Sequence, residues 1–218
     1  GEGELGAFQS SGNTESVGVA AALRLDREGI DWTHSIRLRA DYQRQNGSTS
    51  REQFAASYEP RWQFDENIFA YGLAQYERDR IQGFSSRYSV SGGLGYGVVD
   101  NPELKLSLKA GPAYRVTDFI DGSSADRFAG LVGLDFDWQM LDRLKLTQDV
   151  EALAETGAEA TLIFDGANTT INLVTGLDFD VSNRLRSRLS YKVEYDSNPP
   201  AGSEGTDTLT RATLIYGF

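Results

Sequence analysis

Apolar and polar residues alternate one by one along segments of about ten residues, and this alternation recurs through most of the chain. The clearest segment has an apolar face formed by Trp32, His34, Ile36, Leu38, Ala40 and Tyr42. Its polar face is formed by Thr33, Ser35, Arg37, Arg39, Asp41 and Gln43. Successive side chains of a β-strand point to opposite sides, so the segment predicts a strand. Soluble strands also alternate, but an apolar outside and a charged inside over this length are typical of transmembrane barrels.

The connections between the predicted strands alternate in length. Five are short, at residues 27–31, 65–67, 100–103, 141–143 and 182–184. The others are longer and polar, at residues 11–15, 45–51, 80–86, 117–126, 156–168 and 196–206. Outer-membrane barrels carry short turns on the periplasmic side and longer loops on the extracellular side.

Alternation and loop asymmetry predict the same fold. We expect an all-β chain that forms a closed antiparallel transmembrane β-barrel of about 12 strands, with short periplasmic turns and modest extracellular loops. Residues 1–218 would form a single domain. The last strand places Leu214 and Tyr216 on its apolar face and Arg211 on the other, and it ends at the aromatic Phe218. We therefore expect an integral protein of the bacterial outer membrane with its C-terminus in the periplasm.

The composition fits this fold and excludes several functions. The mean hydropathy is only -0.41, because a barrel that hides its apolar residues at every second position keeps a low average. The net charge of -11 argues against nucleic-acid binding, which needs a basic surface. The chain has no cysteine, which excludes thiol catalysis, zinc-thiolate sites and disulfides. It starts at Gly1 without a basic and apolar leader, so we expect any signal peptide to have been removed.

Two places conflict with regular alternation. Pro60 and Pro112 fall inside strands, where each removes a ladder hydrogen bond, and we expect a β-bulge at both. We interpret three apolar residues of the fifth strand as facing lipid: Phe69, Tyr71 and Leu73. Polar residues continue that phase as far as Asp79, so we expect either a bulge or a strand end that projects above the bilayer.

Charged residues occupy the polar phases of the strands and would line the lumen. They are Arg37, Arg39, Asp41, Glu59, Arg61, Lys105, Lys109, Arg115, Asp135, Asp137, Asp149, Glu151, Asp178, Asp180, Arg186, Arg188, Lys192, Glu194 and Arg211. The acidic residues from Asp135 to Asp180 fall on three consecutive strands, with basic residues to either side or across. Across a narrow water-filled passage, such segregation creates a transverse field that orients dipolar or zwitterionic solutes and filters ions. Alternatively, the charges pair and plug the lumen, because an unpaired buried charge is prohibitive.

These alternatives predict two functions. The first is a narrow or weakly selective channel for small polar solutes or ions, and the second is a plugged structural or interaction barrel that contacts lipid or a protein partner. An enzyme is least favoured, because the only histidine, His34, lies on the lipid face. The glycine-rich segment 92–97 lies within a strand and lacks the features of a phosphate-binding loop, so its glycines would free space in the lumen or allow a sharp bend.

No cofactor, metal site or catalytic residue is predicted. The surroundings would be outer-membrane lipid and lipopolysaccharide. Acidic residues of the loops and turns would either bind divalent cations that bridge lipopolysaccharide or form a solvated polar surface.

Several short motifs occur in order along the chain: Ser11-Gly12-Asn13-Thr14, Tyr76-Glu77-Arg78-Asp79-Arg80, Arg87-Tyr88-Ser89 with Gly92-Gly93-Leu94-Gly95-Tyr96, Tyr195-Asp196 with Pro199-Pro200, Asp207-Thr208, and Tyr216-Gly217-Phe218. As a series, they resemble the uncharacterised bacterial family of salt-induced outer-membrane proteins over essentially the whole chain. The resemblance implies an outer-membrane barrel associated by name with salt stress. It implies no catalytic or ligand-binding residues.

Overall fold

Twelve antiparallel strands of the described chain close into one barrel. The computed structural model describes residues 1–11, 16–45, 48–156, 168–199 and 204–218. The strands are β1 (Glu2–Ser11), β2 (Ser16–Glu28), β3 (Trp32–Gln45), β4 (Ser48–Gln63), β5 (Ile68–Asp79), β6 (Phe84–Asp100), β7 (Leu104–Phe119), β8 (Ser124–Leu141), β9 (Leu144–Glu155), β10 (Asn168–Asp180), β11 (Leu185–Asp196) and β12 (Thr206–Gly217). Each pairs with its neighbours in the chain, and β1 pairs with β12. The predicted fold class and strand number are confirmed.

The two ends of the barrel differ in their connections. The turn end carries both chain termini and the connections 29–31, 64–67, 101–103, 142–143 and 181–184. The loop end carries the others, and there only residues 80–83 join β5 to β6 and only residues 120–123 join β7 to β8. Both connections are shorter than predicted, because their polar flanks continue the strands and keep backbone groups hydrogen-bonded.

Parts of other predicted loops lie outside the described residues, namely 12–15, 46–47, 157–167 and 200–203, with the Gly12–Thr14 and Pro200 portions of the motifs. In the short connection between β7 and β8, the amide and hydroxyl of Ser123 donate to Asp121 at 2.9 and 2.6 Å. These hydrogen bonds lower the pKa of the Asp121 carboxyl. No helix in the described part of the chain is long and apolar enough to cross a membrane.

The outer wall is apolar in its middle and aromatic toward both ends. Near the turn end, rings from β3 and β4 stack in a row formed by Tyr58, His34, Trp32 and Trp62, and Phe64 of the following turn packs against Trp62 at a tilt. Near the loop end, a second row is formed by Phe54, Tyr76 and Tyr88. Between these levels, apolar side chains such as Val90, Leu94 and Val132 are exposed. Two aromatic belts that flank an exposed apolar band are typical of a membrane-spanning barrel.

Pro60 and Pro112 interrupt their ladders without the predicted bulges. The pairs on either side of each proline keep one register, so the strand is not shifted. Beside Pro112, glycines of β6 and β7 face each other, so the two backbones lie close together. A Cβ added to Gly111 would be 2.2 Å from the carbonyl oxygen of Gly92. The prediction of bulges is wrong at both prolines, because only the ladder bonds are lost there.

The inner face of β5 also differs from the prediction. Phe69 and Tyr71 are buried inside the barrel, where the Arg61 guanidinium lies 5.0 Å from the Phe69 ring and Lys109 Nζ lies 5.5 Å from the Tyr71 ring. Gln75 continues the same inward phase. The outward interpretation of Phe69, Tyr71 and Leu73 is wrong. At this level both faces of β5 are apolar, so a period of two does not say which one faces lipid.

Candidate functional site

The charged side chains predicted for the lumen lie on the inner face of the barrel, and most of them are ion-paired. Within the sheet, both Nε and Nη2 of Arg188 donate to Asp178, at 2.5 and 2.7 Å. The other pairs between near neighbours are Lys192 with Glu194, Lys145 with Asp137, Arg186 with Glu2, Arg39 with Asp41 and, at the rim of the turn end, Lys105 with Asp100. Pairing therefore neutralises much of the lumen charge, as expected from the alternative in which the charges pair and plug the lumen.

Two polar contacts reach across the lumen between strands that are four places apart. Arg61 Nη2 of β4 donates to Asp135 of β8 at 2.7 Å, and Gln75 Nε2 of β5 donates to Glu151 of β9 at 3.2 Å. In a circular twelve-stranded barrel such strands would be about 21 Å apart, given the spacing and tilt of barrel strands. The two side chains and the contact between them span only about 13 Å. The barrel is therefore flattened, with β4 and β5 drawn toward β8 and β9.

The lumen between β4 and β9 is closed by apolar packing and buried charge pairs, and we call this region the closed sector. Its apolar cluster consists of Phe69, Tyr71, Leu73, Ala113, Ala129, Leu131 and Leu153. Lys109 Nζ donates to Glu59 at 2.7 Å, and both side chains are almost fully buried. The Phe69 ring lies over Gly95, where an added Cβ would be 2.0 Å from the ring. Gly95 therefore makes room for the Phe69 ring, which fills the lumen at this point instead of leaving it free.

The half of the lumen nearer the loop end is also narrowed by buried contacts. Arg211 Nη2 of β12 donates to Asp41 of β3 at 2.6 Å, across β1 and β2. Arg115 Nη1 donates to Glu155 at 3.2 Å and to Thr170 at 3.4 Å. All five side chains are largely buried.

The remaining lumen, bounded by β9–β12 and β1–β3, contains exposed charged groups nearer the turn end, and we call it the open sector. Asp135 of the adjoining strand β8 lies at its border with the closed sector. Arg24 lies directly opposite Arg37 in the β2–β3 ladder, and Asp135 lies directly opposite Asp149 in the β8–β9 ladder. Asp149 is exposed although its strand position faces inward. Arg37 and Arg24 act on it electrostatically from the facing wall.

On each of these two walls, one charged residue is ion-paired with a neighbour and the other is not, among the described residues. Arg24 donates to Asp26 at 2.6 Å, and Asp135 accepts from Arg61. Within the described residues, Arg37 and Asp149 make no direct ion pair. We call Arg24, Arg37, Asp135 and Asp149 the charged gap, because two guanidinium groups face two carboxylates without closing on them.

Sequence reasoning missed several lumen contacts. Arg24 and Asp26 lie on the polar face of β2 but were not assigned to the lumen. Gln75 was assigned to the outside because the two faces of β5 were exchanged in the prediction. Asp180 lies on the inner face at the turn end without an ion pair among the described residues. His34 lies on the outer wall, where its Nδ1 is 2.9 Å from the Tyr58 hydroxyl. No group of three or more metal-ligating side chains occurs in the part of the chain that the structure describes.

The closed barrel, the apolar outer wall and the charged lumen define the class of outer-membrane β-barrels. The chain belongs to the family described as protein of unknown function, DUF481, whose profile matches residues 3–218. It is 26% identical over 220 residues to the uncharacterized protein YdiY of Escherichia coli (strain K12), with 100% of this chain and 83% of that protein covered. The resemblance to an uncharacterised family is confirmed.

Two solved structures share the fold. The NanC porin superposes with a TM-score of 0.66 at 8% identity, with 100% of both chains covered. The translocator domain of the autotransporter NalP from Neisseria meningitidis superposes with a TM-score of 0.56 at 15% identity, with 100% of this chain and 88% of that chain covered. At these identities, the likeness establishes the fold alone.

Proposed function

We propose that this protein is a narrow channel of the bacterial outer membrane that passes small polar solutes or ions through the open sector. The observation that carries the proposal is the charged gap, in which Arg37 and Asp149 lie on facing walls without a direct ion pair among the described residues, and Asp149 is exposed. Exposed charges of both signs hold water in a passage and attract solutes with polar groups.

The architecture supports this proposal. A porin and an autotransporter translocator domain share the fold. The turn end, with both termini, would lie in the periplasm, and the aromatic belts would contact lipid and lipopolysaccharide. We propose no catalytic activity, because His34 stacks between Trp32 and Tyr58 on the outer wall, away from the charged lumen.

A second candidate function is a plugged barrel with a structural or interaction role. It is favoured by the buried contacts Glu59–Lys109 and Asp41–Arg211, which narrow the lumen. The channel is the better proposal because a lumen built only to be filled would pair its inward charges, whereas Arg37 and Asp149 make no direct ion pair among the described residues and Asp149 is exposed.

Planar-bilayer recording of the refolded barrel tests the channel. We expect small single-channel steps whose size depends on salt concentration. Neutralising Arg37 by Arg37→Gln should shift ion selectivity toward cations, and Asp149→Asn should shift it toward anions, because each removes the charge of its wall that makes no direct ion pair among the described residues. Leu38→Ala is the matched control, since Leu38 is next to Arg37 but exposed on the outer wall. A barrel that is folded by circular dichroism and electrically silent would favour the plugged alternative.

A further inference from the structure

The charged gap is built from like charges placed side by side, which is unfavourable for the sheet. Arg24 and Arg37 are directly opposed in one ladder, and Asp135 and Asp149 in another. Directly opposed like charges destabilise a sheet. Like charges are also directly opposed nearer the loop end, at Arg115–Arg127 and Glu194–Asp207. The charged gap differs from these because its two like-charge pairs have opposite signs and lie on facing walls. An arrangement that opposes folding calls for a functional reason.

We propose that the charged gap selects small zwitterions that carry one carboxylate and one ammonium group. The proposal rests on the channel function and names its class of solute. The carboxylate would approach the guanidinium wall of Arg24 and Arg37, and the ammonium would approach the carboxylate wall of Asp135 and Asp149.

The pairing pattern leaves one group on each wall available to such a solute. Arg24 is engaged by Asp26 and Asp135 is engaged by Arg61, whereas Arg37 and Asp149 make no direct ion pair among the described residues. A guanidinium can bind a carboxylate with two parallel hydrogen bonds, and a carboxylate accepts charge-assisted hydrogen bonds from an ammonium. Both ends of a zwitterion therefore find a partner at one level of the lumen.

Other solutes gain less from this geometry. A small anion is attracted by Arg37 and repelled by Asp149, and a small cation is treated in the opposite way. A neutral solute has no net charge at either end to interact with the walls. A zwitterion aligned with the transverse field is stabilised at both ends and repelled at neither.

Uptake into liposomes that contain the purified barrel tests the inference with four solutes of similar size. L-alanine is the zwitterion, lactamide the neutral solute, lactate the anion and alaninamide the cation. We expect L-alanine to enter about tenfold faster than lactamide, the lower end of the enhancement that a focused field produces. Arg37→Gln should reduce entry of L-alanine and lactate and favour alaninamide. Asp149→Asn should reduce entry of L-alanine and alaninamide and favour lactate.

A charge-swapped double variant separates the field from the shape of the passage. In Arg37→Asp with Asp149→Arg, each new side chain lies directly opposite a residue of the opposite charge, Arg24 or Asp135, so both walls become neutral while charged side chains still line the passage. The preference for L-alanine should therefore be lost. Leu38→Ala should leave all four rates unchanged. Entry of L-alanine no faster than lactamide, in a barrel that passes lactamide, would overturn the inference and leave the channel standing. Failure of every solute to enter would overturn the channel function and the inference together.

Discussion

The buried pair Glu59–Lys109 is the residue-scale contact on which the closed sector depends most directly. Both side chains are nearly inaccessible, and Glu59 also pairs with Arg61. Glu59→Gln would leave the Lys109 ammonium buried without its carboxylate, and removal of one partner of such a pair destabilises by about 3–5 kcal/mol. We expect that loss in urea unfolding of the lipid-embedded barrel.

A double-mutant cycle checks the cause of this loss. Lys109→Met in the Glu59→Gln background should recover part of the stability, because it removes the stranded charge. If the double variant is as unstable as the sum of the two single variants, the two side chains are not coupled and the explanation is wrong.

Gly95 makes room for an aromatic ring at the same scale. A Cβ at Gly95 would be 2.0 Å from the buried Phe69 ring, whereas at Gly97, on the same face of β6, the nearest atom would be 3.8 Å away. We expect Gly95→Ala to destabilise the barrel by about 1–3 kcal/mol through overpacking and Gly97→Ala to have little effect. The same unfolding assay measures both. Phe69→Leu should relieve part of the Gly95→Ala defect, and no relief would contradict the proposed clash.

The direction in which a side chain points could be predicted from the sequence where one face of a strand is clearly polar. Arg37, Asp149 and Arg211 sit on such faces, and the structure places them inside the barrel. Their pairing could not be predicted, because Arg61–Asp135 and Asp41–Arg211 join strands that are distant in the sequence. Flattening brings the first pair together, and the pairing of β1 with β12 brings the second. Alternation predicts the direction of a side chain, but its partner depends on the shape of the barrel's cross-section.

At the scale of the element, the approach of β6 and β7 depends on glycine. A Cβ at Gly111 would be 2.2 Å from the Gly92 carbonyl oxygen, which is backbone and cannot rotate away. We expect Gly111→Ala to separate these strands beside Pro112 and to lower the yield of folded barrel, measured by the heat-dependent gel mobility of the refolded protein. Gly92→Ala is the control, since its nearest atom would be 3.4 Å away and the contact is ordinary. Equal yields for both variants would rule out close approach as the role of Gly111.

Element boundaries were predicted well at the turn end and less well at the loop end. Short connections such as 142–143 leave little choice for where a strand stops. At the loop end, polar residues such as Ser124 and Asp126 were assigned to a loop, yet they pair with β7. A strand that rises beyond the apolar band needs no apolar side chains, so composition cannot mark its end.

At the scale of the whole molecule, flattening explains how one barrel can contain both sequence alternatives. Drawing β4 and β5 toward β8 and β9 brings Arg61 to Asp135 and fills the closed sector. The strands on the other side keep Arg37 and Asp149 apart, which leaves exposed charge in the open sector. Buried paired charges, as predicted by one alternative, lie in the closed sector, and the transverse field predicted by the other lies in the open sector. The channel would therefore occupy only part of the cross-section of the barrel.

The orientation of the barrel in the membrane gives a test for the molecule as a whole. The chain has no cysteine, so a single introduced thiol reports one position without background. Asp142 is exposed in the connection between β8 and β9 at the turn end, and Ser124 is exposed where β8 begins at the loop end. Short turns face the periplasm in barrels of this class. In intact cells, a membrane-impermeant maleimide should therefore label Ser124→Cys, and it should label Asp142→Cys only after the outer membrane is permeabilised. The reverse labelling pattern would invert the proposed orientation and place the charged gap nearer the cell exterior.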